Sequence, residues 1–540
     1  MDQIFYNGKI ITMEHNNAEK ELVCMPEAVL VRDDLIYKVG SLDKIEKIAE
    51  KNATWHNLDG RCLMPSFIDA HSHIVMTGQM AMLADLSDCC SFADVVDVLA
   101  DYAESNHCTK EHVVIGYGYD HNFLKEGTHP DKFVLDKVSS EIPILIIHIS
   151  AHLACANSAA LALAGIDFDT PDPDGGLIGR IGMSNEPSGY IEESGLQLLQ
   201  SVLLPRVKTD FLQLQQKMQD IYIKNGITTV QDGASTENDI NILRGLNSKG
   251  KLKIDVVAYP VMDSNNVDLV KKYKTSNGDY TGRLRIGGYK IVLDGSPQGR
   301  TAWMSKPYVN GEPEYCGYPW MKNELVDNLV KKAVSARKQI LAHCNGDAAS
   351  EQFISAYEKA VDKISNKEDL RPVMIHCQTV RNDQLERMSR LKMIASMFVG
   401  HVWYWGDIHM RNFGPERGKH ISPVRDAIDK GVVVSFHQDT PVTKPDMLHS
   451  VWCAVNRISR SGKIIGEEQS VVVYDALKAI TINAAYQYFE EKTKGSIKEG
   501  KIADLVILSH SPLEIDQKEI RNIKVLETIK EGETIYKRVC

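Results

Sequence analysis

The sequence predicts an α/β protein: a (β/α)8 TIM barrel with an insertion after its first strand, plus a small β-sandwich-like domain built from both chain ends. Three observations lead there. Eight short apolar runs rich in β-branched residues recur through the middle of the chain, with helix-patterned stretches between them. The stretch from Ile68 to Ile227 is far too long for a single strand-to-strand connection. Both ends of the chain alternate short apolar runs with turns.

The amino-terminal part reads IFYNGKIITM, AVLVRDDLIYKVG and TWHNLDGRCLMPSF, with tight turns at Asn7-Gly8 and Asp33-Asp34. The carboxy-terminal part reads GSIKEGKIADLVIL and VLETIKEGETIYKRV. Neither set has enough strands to bury a stable face alone. Pairing them gives a composite β domain, 1–59 with 485–540, around a barrel domain spanning 60–484.

The eight runs are Leu63–Ile68, Ile227–Val230, Ile254–Tyr259, Ile286–Val292, Ile340–Ala342, Pro372–Ile375, Met393–Phe398 and Val432–Phe436. Runs of continuous apolar character suit parallel strands covered on both faces. Before the second run, Phe211, Leu212, Leu214, Met218, Ile221 and Tyr222 recur at helical spacing, and Asn225-Gly226 supplies the stop. The insertion would cover about residues 75–205. Its most apolar stretch, Pro143 to Ile166, contains His148, His152 and Asn157 and reads as buried strand plus helix. A membrane span would need about 20 mainly apolar residues.

Bulk properties narrow the function. Of 540 residues, 43% are hydrophobic and 25% charged, a globular balance. The net charge of −10 comes without any block of Lys and Arg to neutralise phosphates, so nucleic acid is not an expected partner. The opening MDQIFYNGKIITMEHNN lacks the basic and apolar regions of a secretory signal. Eleven cysteines are scattered without a C-x-x-C pair, which suits reduced thiols in the cytoplasm. A small-molecule substrate is the expected partner, with no membrane, and self-association into a homo-oligomer is allowed.

The ionisable residues fall at the run ends. The first run leads into Asp69-Ala70-His71-Ser72-His73, and on an extended chain residues i and i+2 point to one side. Lys290 lies in the fourth run, His343 and His376 end the fifth and sixth, and Asp439 follows the eighth. In a TIM barrel those ends form one mouth. Singly, an H-x-H pair is common by chance and a lone His after an apolar run is usually a packed core residue; Lys290 has Asp294 as an ordinary ion-pair partner. Recurrence at one end of five strands is what marks a site. Imidazole and carboxylate donors without thiolate suit a divalent ion, zinc first, with manganese, iron or nickel behind it. Such a site leaves a position for water and lowers its pKa, and Asp439 is the candidate to take and return the proton.

These residues also carry a resemblance. MPSFIDAHSH resembles the opening motif of the amidohydrolase superfamily, and NAAYQYFEEKTKGSIKEGKIADLVIL its closing one. GYGYDHN (116–122), HISAHLACANSAALALAGI (148–166), DPDGGLIGR (172–180), KIVLDGSPQGRTA (290–302) and AHCNGDAA (342–349) resemble the amidohydrolase 3 branch, which includes N-substituted formamide deformylase-like proteins. The resemblance implies that His71, His73, Lys290, His343, His376 and Asp439 bind one or two metals, bridged where Lys290 is carbamylated. It implies cleavage of a non-peptide C–N bond, amide or N-formyl-like, in a small molecule. The alternatives are a ring deaminase of the same superfamily and a non-catalytic regulator that keeps the fold. The deaminase pattern H-x-x-E is missing, since His343 is followed by Cys344-Asn345-Gly346-Asp347.

His152, within SAHLACANSAAL, is expected to face substrate from the insertion. Trp403, in GHVWYWGD, is expected either to line an aromatic pocket or to serve a packed loop or oligomer contact. Arg300 is a further substrate-side candidate, and Asp120 is read as structural. The sequence departs from the opening motif at Ser66, where Gly is usual, a change tolerable if the backbone angles are ordinary.

Overall fold

The computed structural model describes every residue except 16, 150–152, 174–175, 208–210, 265–278, 363–368 and 540. The chain forms two compact units. One joins Met1–Val75 to Gln219–Cys540, and the other is Met76–Met218.

In the first unit, eight strands run parallel in chain order: β1 (Phe67–Ile68), β2 (Ile227–Ser235), β3 (Asp255–Pro260), β4 (Leu284–Ile286 and Gly288–Val292, interrupted at Gly287), β5 (Gln339–Cys344), β6 (Val373–His376), β7 (Ile394–Met397) and β8 (Val434–Phe436). A parallel bridge between Val261 and Lys290 carries the array from β3 into the second half of β4. Beyond β8 the array returns to β1: the His73 N–H donates to the Thr440 carbonyl at 2.9 Å, and Gln487 spans the gap, donating to Ala70 O and accepting from Ser435 Oγ. Helices α1 (Glu237–Ser248), α2 (Asn323–Ser335), α3 (Asp347–Val361) and α4 (Asn382–Arg390) follow β2, β4, β5 and β6 in turn, and α5 (His401–Lys419) and α6 (Val424–Asp429) both follow β7. α1 opens on a capping box in which Thr236 and Asp239 satisfy each other's backbone N–H. Apolar side chains of β1, β3, β5, β6 and β7, among them Ile68, Val257, Leu341, Val373 and Ile394, share one buried cluster.

All eight runs fall on strands; the fourth is interrupted at Gly287, and the first is divided between the barrel and an end sheet. Cys62–Pro65 pairs in parallel with Lys9–Ile10 and antiparallel with Leu505–Leu508, and only Phe67–Ile68 enters the parallel array. The break falls on Ser66. Its N–H donates to Asp504 O at 2.9 Å and its hydroxyl lies 2.6 Å from that of Thr228, so one residue is tied to both sheets. Ser66 avoids the left-handed region, which is why a side chain is tolerated where the motif usually has Gly.

The chain ends form two sheets. One orders Leu35–Gly40, Ala28–Arg32, Asp2–Tyr6 and Thr54–Asn57; the other orders Lys9–Ile10, Cys62–Pro65, Leu505–Leu508, Val525–Lys530 and Glu533–Lys537. Phe5, Val29 and Ile36 of the first and Leu63, Leu505 and Ile529 of the second belong to one buried cluster. A buried ion network ties this region to the barrel: Asp255 at the start of β3 meets Lys494 at 2.6 Å and Lys530 at 2.9 Å, and Lys530 also meets Asp504 at 2.9 Å.

The second unit carries a six-stranded sheet in the order Gly176–Arg180, Pro187–Glu193, Leu153–Ala156, Ile144–His148, Val114–Tyr119, Ala84–Asp85. The apolar stretch read as strand plus helix is two strands and a helix, Ser158–Leu163. No helix among the described residues is long and apolar enough to cross a membrane. Every cysteine among them is a free thiol.

Candidate metal centre

The strand ends deliver their side chains to one point. His71 and His73 leave β1 on the same side and both place Nε2 3.3 Å from Asp439 Oδ1. Lys290, from β4, puts Nζ 3.4 Å from His71 Nε2. His376, the last residue of β6, brings Nε2 to 3.9 Å from Asp439 Oδ2. His343, from β5, packs its ring 4.4 Å from that of His376. Ligand atoms of His71, His376 and Asp439 all lie within 4.8 Å of one another.

Partners behind the histidines fix which nitrogen faces inward. His71 Nδ1 lies 2.5 Å from Gln231 Oε1, so the amide oxygen accepts its proton and Nε2 is left with a lone pair toward Asp439. His376 Nδ1 meets His437 Nε2 at 3.3 Å, and Ser396 Oγ holds His437 Nδ1 at 2.9 Å. His343 is held on both sides, by Asp294 at Nδ1 (3.1 Å) and by the Asn345 amide at Nε2 (3.3 Å). Asp294 is thus a support for His343 and not the partner of Lys290, the ordinary pairing considered from sequence. It is fully buried and also accepts the backbone N–H groups of Trp303, Asn345 and Gly346.

The protonation states suit metal ligands. Burial, reinforced by Lys290 and His73, holds the His71 pKa well below the usual imidazole range; burial with His343 and His437 does the same to His376. Both are neutral donors at neutral pH. Burial alone would raise the Asp439 carboxyl, but His73, His437 and Lys290 outweigh it and keep it ionised. Burial brings the Lys290 pKa down to about 7.

Two observations mark a site under functional constraint. Asp439 Oδ1 is buried and meets hydrogen-bond geometry with no group, although an unbonded buried carboxylate oxygen is costly. His376 and Asp439 both sit in the left-handed backbone region, at φ of 70° and 55°, which costs a non-glycine residue on the order of 1–3 kcal/mol. The donor set, the lone pairs aimed at one point and the orphaned oxygen together fit a divalent cation.

Trp403 and Arg300 have partners of their own. Trp403, at the start of α5, turns to Trp452 (ring centroids 5.3 Å apart), His449 (6.0 Å) and the Arg521 guanidinium (5.3 Å). That is a packed environment, and GHVWYWGD is a helix start, not a loop. Arg300, in the segment after β4, donates to Asn310 O at 2.6 Å. His152 lies outside the described residues. Gln231, Asp294, Asn345, Ser396 and His437 were missed as supporting groups. Only His437 had a legible signal, two residues before Asp439 on the same extended segment.

Comparison with known proteins agrees with the geometry. The profile of the Amidohydrolase family matches residues 55–536. The chain is 27% identical to the YtcJ protein of Bacillus subtilis (strain 168), over 100% of both chains. It is also 27% identical to N-substituted formamide deformylase of Arthrobacter pascens, over 99% of this chain and 98% of that one. Among solved structures, an uncharacterized metal-dependent hydrolase from Pyrococcus horikoshii OT3 superposes with a TM-score of 0.75 at 25% identity, covering 96% of this chain and 99% of that one. This chain belongs to the amidohydrolase family, in the amidohydrolase 3 branch of its superfamily.

Proposed function

We propose that this protein hydrolyses a non-peptide C–N bond, an amide or N-formyl-like group, in a small molecule. One observation carries the reading most: His71, His376 and Asp439 converge while Asp439 Oδ1 keeps a buried, unbonded lone pair. His71, His73, His376 and Asp439 would hold the ion, with Lys290 and His343 beside them and zinc the best match to the donors. When bound, such an ion supplies Lewis acidity that polarises a carbonyl and makes water a stronger acid. Asp439 then takes a proton from the attacking water and returns it to the leaving nitrogen. His73 Nε2 lies 3.3 Å from the same carboxylate, on its more exposed side.

Lys290 gives the site a second capacity. With its pKa near 7 a large share of the amine is neutral at neutral pH, and its lone pair can add to CO2 with loss of a proton. The resulting carbamate would offer two oxygens in place of an ammonium and permit a second ion. Support for the substrate class comes from the formamide deformylase similarity, which spans both chains. The ring deaminase reading lacks the acid three residues after His343. The regulatory reading draws on a 23% match to the exoenzymes regulatory protein AepA of Pectobacterium carotovorum subsp. carotovorum, over 80% of this chain, and sits poorly with a full donor set. We place the enzyme in the cytoplasm, acting on a soluble substrate.

A screen of N-formyl, N-acyl, lactam and ester compounds should yield a hydrolysed substrate. With it, Asp439→Asn should lose about 10²–10⁴ in kcat while keeping most of its metal. Wild-type rate in Asp439→Asn would remove Asp439 from the proton path, and ammonia release from aminated heterocycles alone would favour the deaminase.

A further inference from the structure

The Met76–Met218 unit holds a second cluster of donors that the proposed hydrolysis does not use. Val114–Tyr119 and Ile144–His148 are neighbouring parallel strands, paired Ile147 to Tyr117 and, after a register shift, His148 to Tyr119. Asp120 directly follows the first strand and His148 ends the second, so both lie at the carboxyl ends of adjacent parallel strands. In open α/β sheets that is where ligands collect. His121 is the next residue along.

Their spacing is informative. His121 Nδ1 lies 3.3 Å from His148 Nε2, His148 Nε2 lies 3.5 Å from Asp120 Oδ1, and His121 Nδ1 lies 3.8 Å from the same oxygen. Both contacts to the carboxylate are longer than the about 2.7–3.2 Å of a good N–H···O bond. Ligand atoms held at ~2.0–2.1 Å around a tetrahedral ion must sit about 3.4 Å apart. The triangle has the dimensions of one face of such a tetrahedron.

The surroundings hold the triangle in place. The Asn122 backbone N–H (2.9 Å) and side-chain amide (2.8 Å) donate to Asp120 Oδ1 and fix the carboxylate. The His129 ring stacks on His121 with centroids 4.0 Å apart, and Tyr119 OH positions His129 through Nδ1 at 3.0 Å. Asp120 and His148 are buried, whereas the His121 side chain is 28% exposed, which leaves an approach for an ion.

We propose that Asp120, His121 and His148 form a second metal site, within Met76–Met218, for a divalent transition ion with zinc as the best fit. Two imidazoles and one carboxylate supply three ligands and leave at least one position for water or an exogenous donor. Asp120, read from sequence as structural, is thereby a ligand.

Cobalt(II) is the probe, because its visible absorption reports tetrahedral coordination. The full chain, stripped with chelator, is titrated with cobalt and its bound metal counted by elemental analysis. A His71→Ala/His376→Ala protein should still retain one cobalt per chain with a tetrahedral spectrum. Adding His121→Ala, or the milder His121→Gln, should remove that cobalt and its spectrum, while circular dichroism of the stripped proteins stays the same. If His71→Ala/His376→Ala retains no cobalt, or His121→Ala and His121→Gln retain it unchanged, the second site does not exist. Neither result depends on the hydrolytic reading, which is tested separately at Asp439.

Discussion

Replacing Asp294 by asparagine keeps the side-chain shape and removes an acceptor from a place where four donors converge. Oδ1 faces His343 Nδ1 (3.1 Å) and the Asn345 N–H (3.0 Å); Oδ2 faces the N–H groups of Gly346 (2.7 Å) and Trp303 (3.0 Å). The new NH2 group cannot accept. If it takes the Oδ2 place, two backbone N–H groups lose their partner. If it takes the Oδ1 place, His343 must move its proton to Nε2 and the Asn345 N–H is orphaned. The second arrangement leaves the Asn345 N–H and the Asn345 side-chain amide that faced His343 Nε2 without an acceptor, at about 1–3 kcal/mol for a buried donor so orphaned, plus the weakening of bonds that were charge-assisted. Relief from burying a charge offsets part of this, leaving a loss of about 3 kcal/mol. The His343 tautomer changes as well, and loss of such an orienting partner typically weakens metal affinity about 10–100-fold. Urea unfolding followed by tryptophan fluorescence, with zinc affinity from competition against a chelating dye, reads both quantities. An Asp294→Asn protein with unchanged unfolding and unchanged affinity would refute the assignment of Asp294 as the group that fixes His343.

Lys290→Met should stabilise the metal-free protein while abolishing hydrolysis. The folded pKa near 7 lies below the unfolded value near 10.4, so between them the unfolded chain binds the extra proton and stability rises with pH. The advantage of methionine should therefore be greatest at and below about pH 7, with a ceiling of ~5 kcal/mol, and fade toward pH 10. A pH-independent difference in urea midpoints would count against a neutral buried amine. Gly233→Ala should weaken metal binding although it removes no ligand, because a Cβ on Gly233 would collide with the His71 ring. Equal zinc affinity in the alanine variant would mean that the ring is free to shift.

Much of the fold was legible because its signals are local. Eight apolar runs ending in polar residues are a period a reader can count; six of them each fall on a single strand, and the fourth is broken only at Gly287. The first misled because hydrophobic pattern is blind to partner: Cys62–Pro65 and Phe67–Ile68 are equally apolar, yet one pairs with Leu505–Leu508 and the other with Ile227–Ser235. The residues facing the site could be found because their chemistry is unusual at strand ends. Their supports could not. Gln231, Ser396 and Asp294 are ordinary polar residues whose meaning depends on what stands within hydrogen-bonding reach of them. Trp403 shows the converse, an eye-catching aromatic cluster that the fold uses to pack α5 against Trp452 and Arg521.

The central claim is that this site works through a bound divalent ion, and metal removal tests it most directly. Protein purified without added metal should contain a divalent ion bound in part through His71, and His71→Ala should contain less by at least one per chain. Chelation should abolish hydrolysis, and zinc or manganese should restore it. A stripped protein that hydrolyses its substrate at the untreated rate, or wild-type and His71→Ala proteins with the same metal content, would contradict the account.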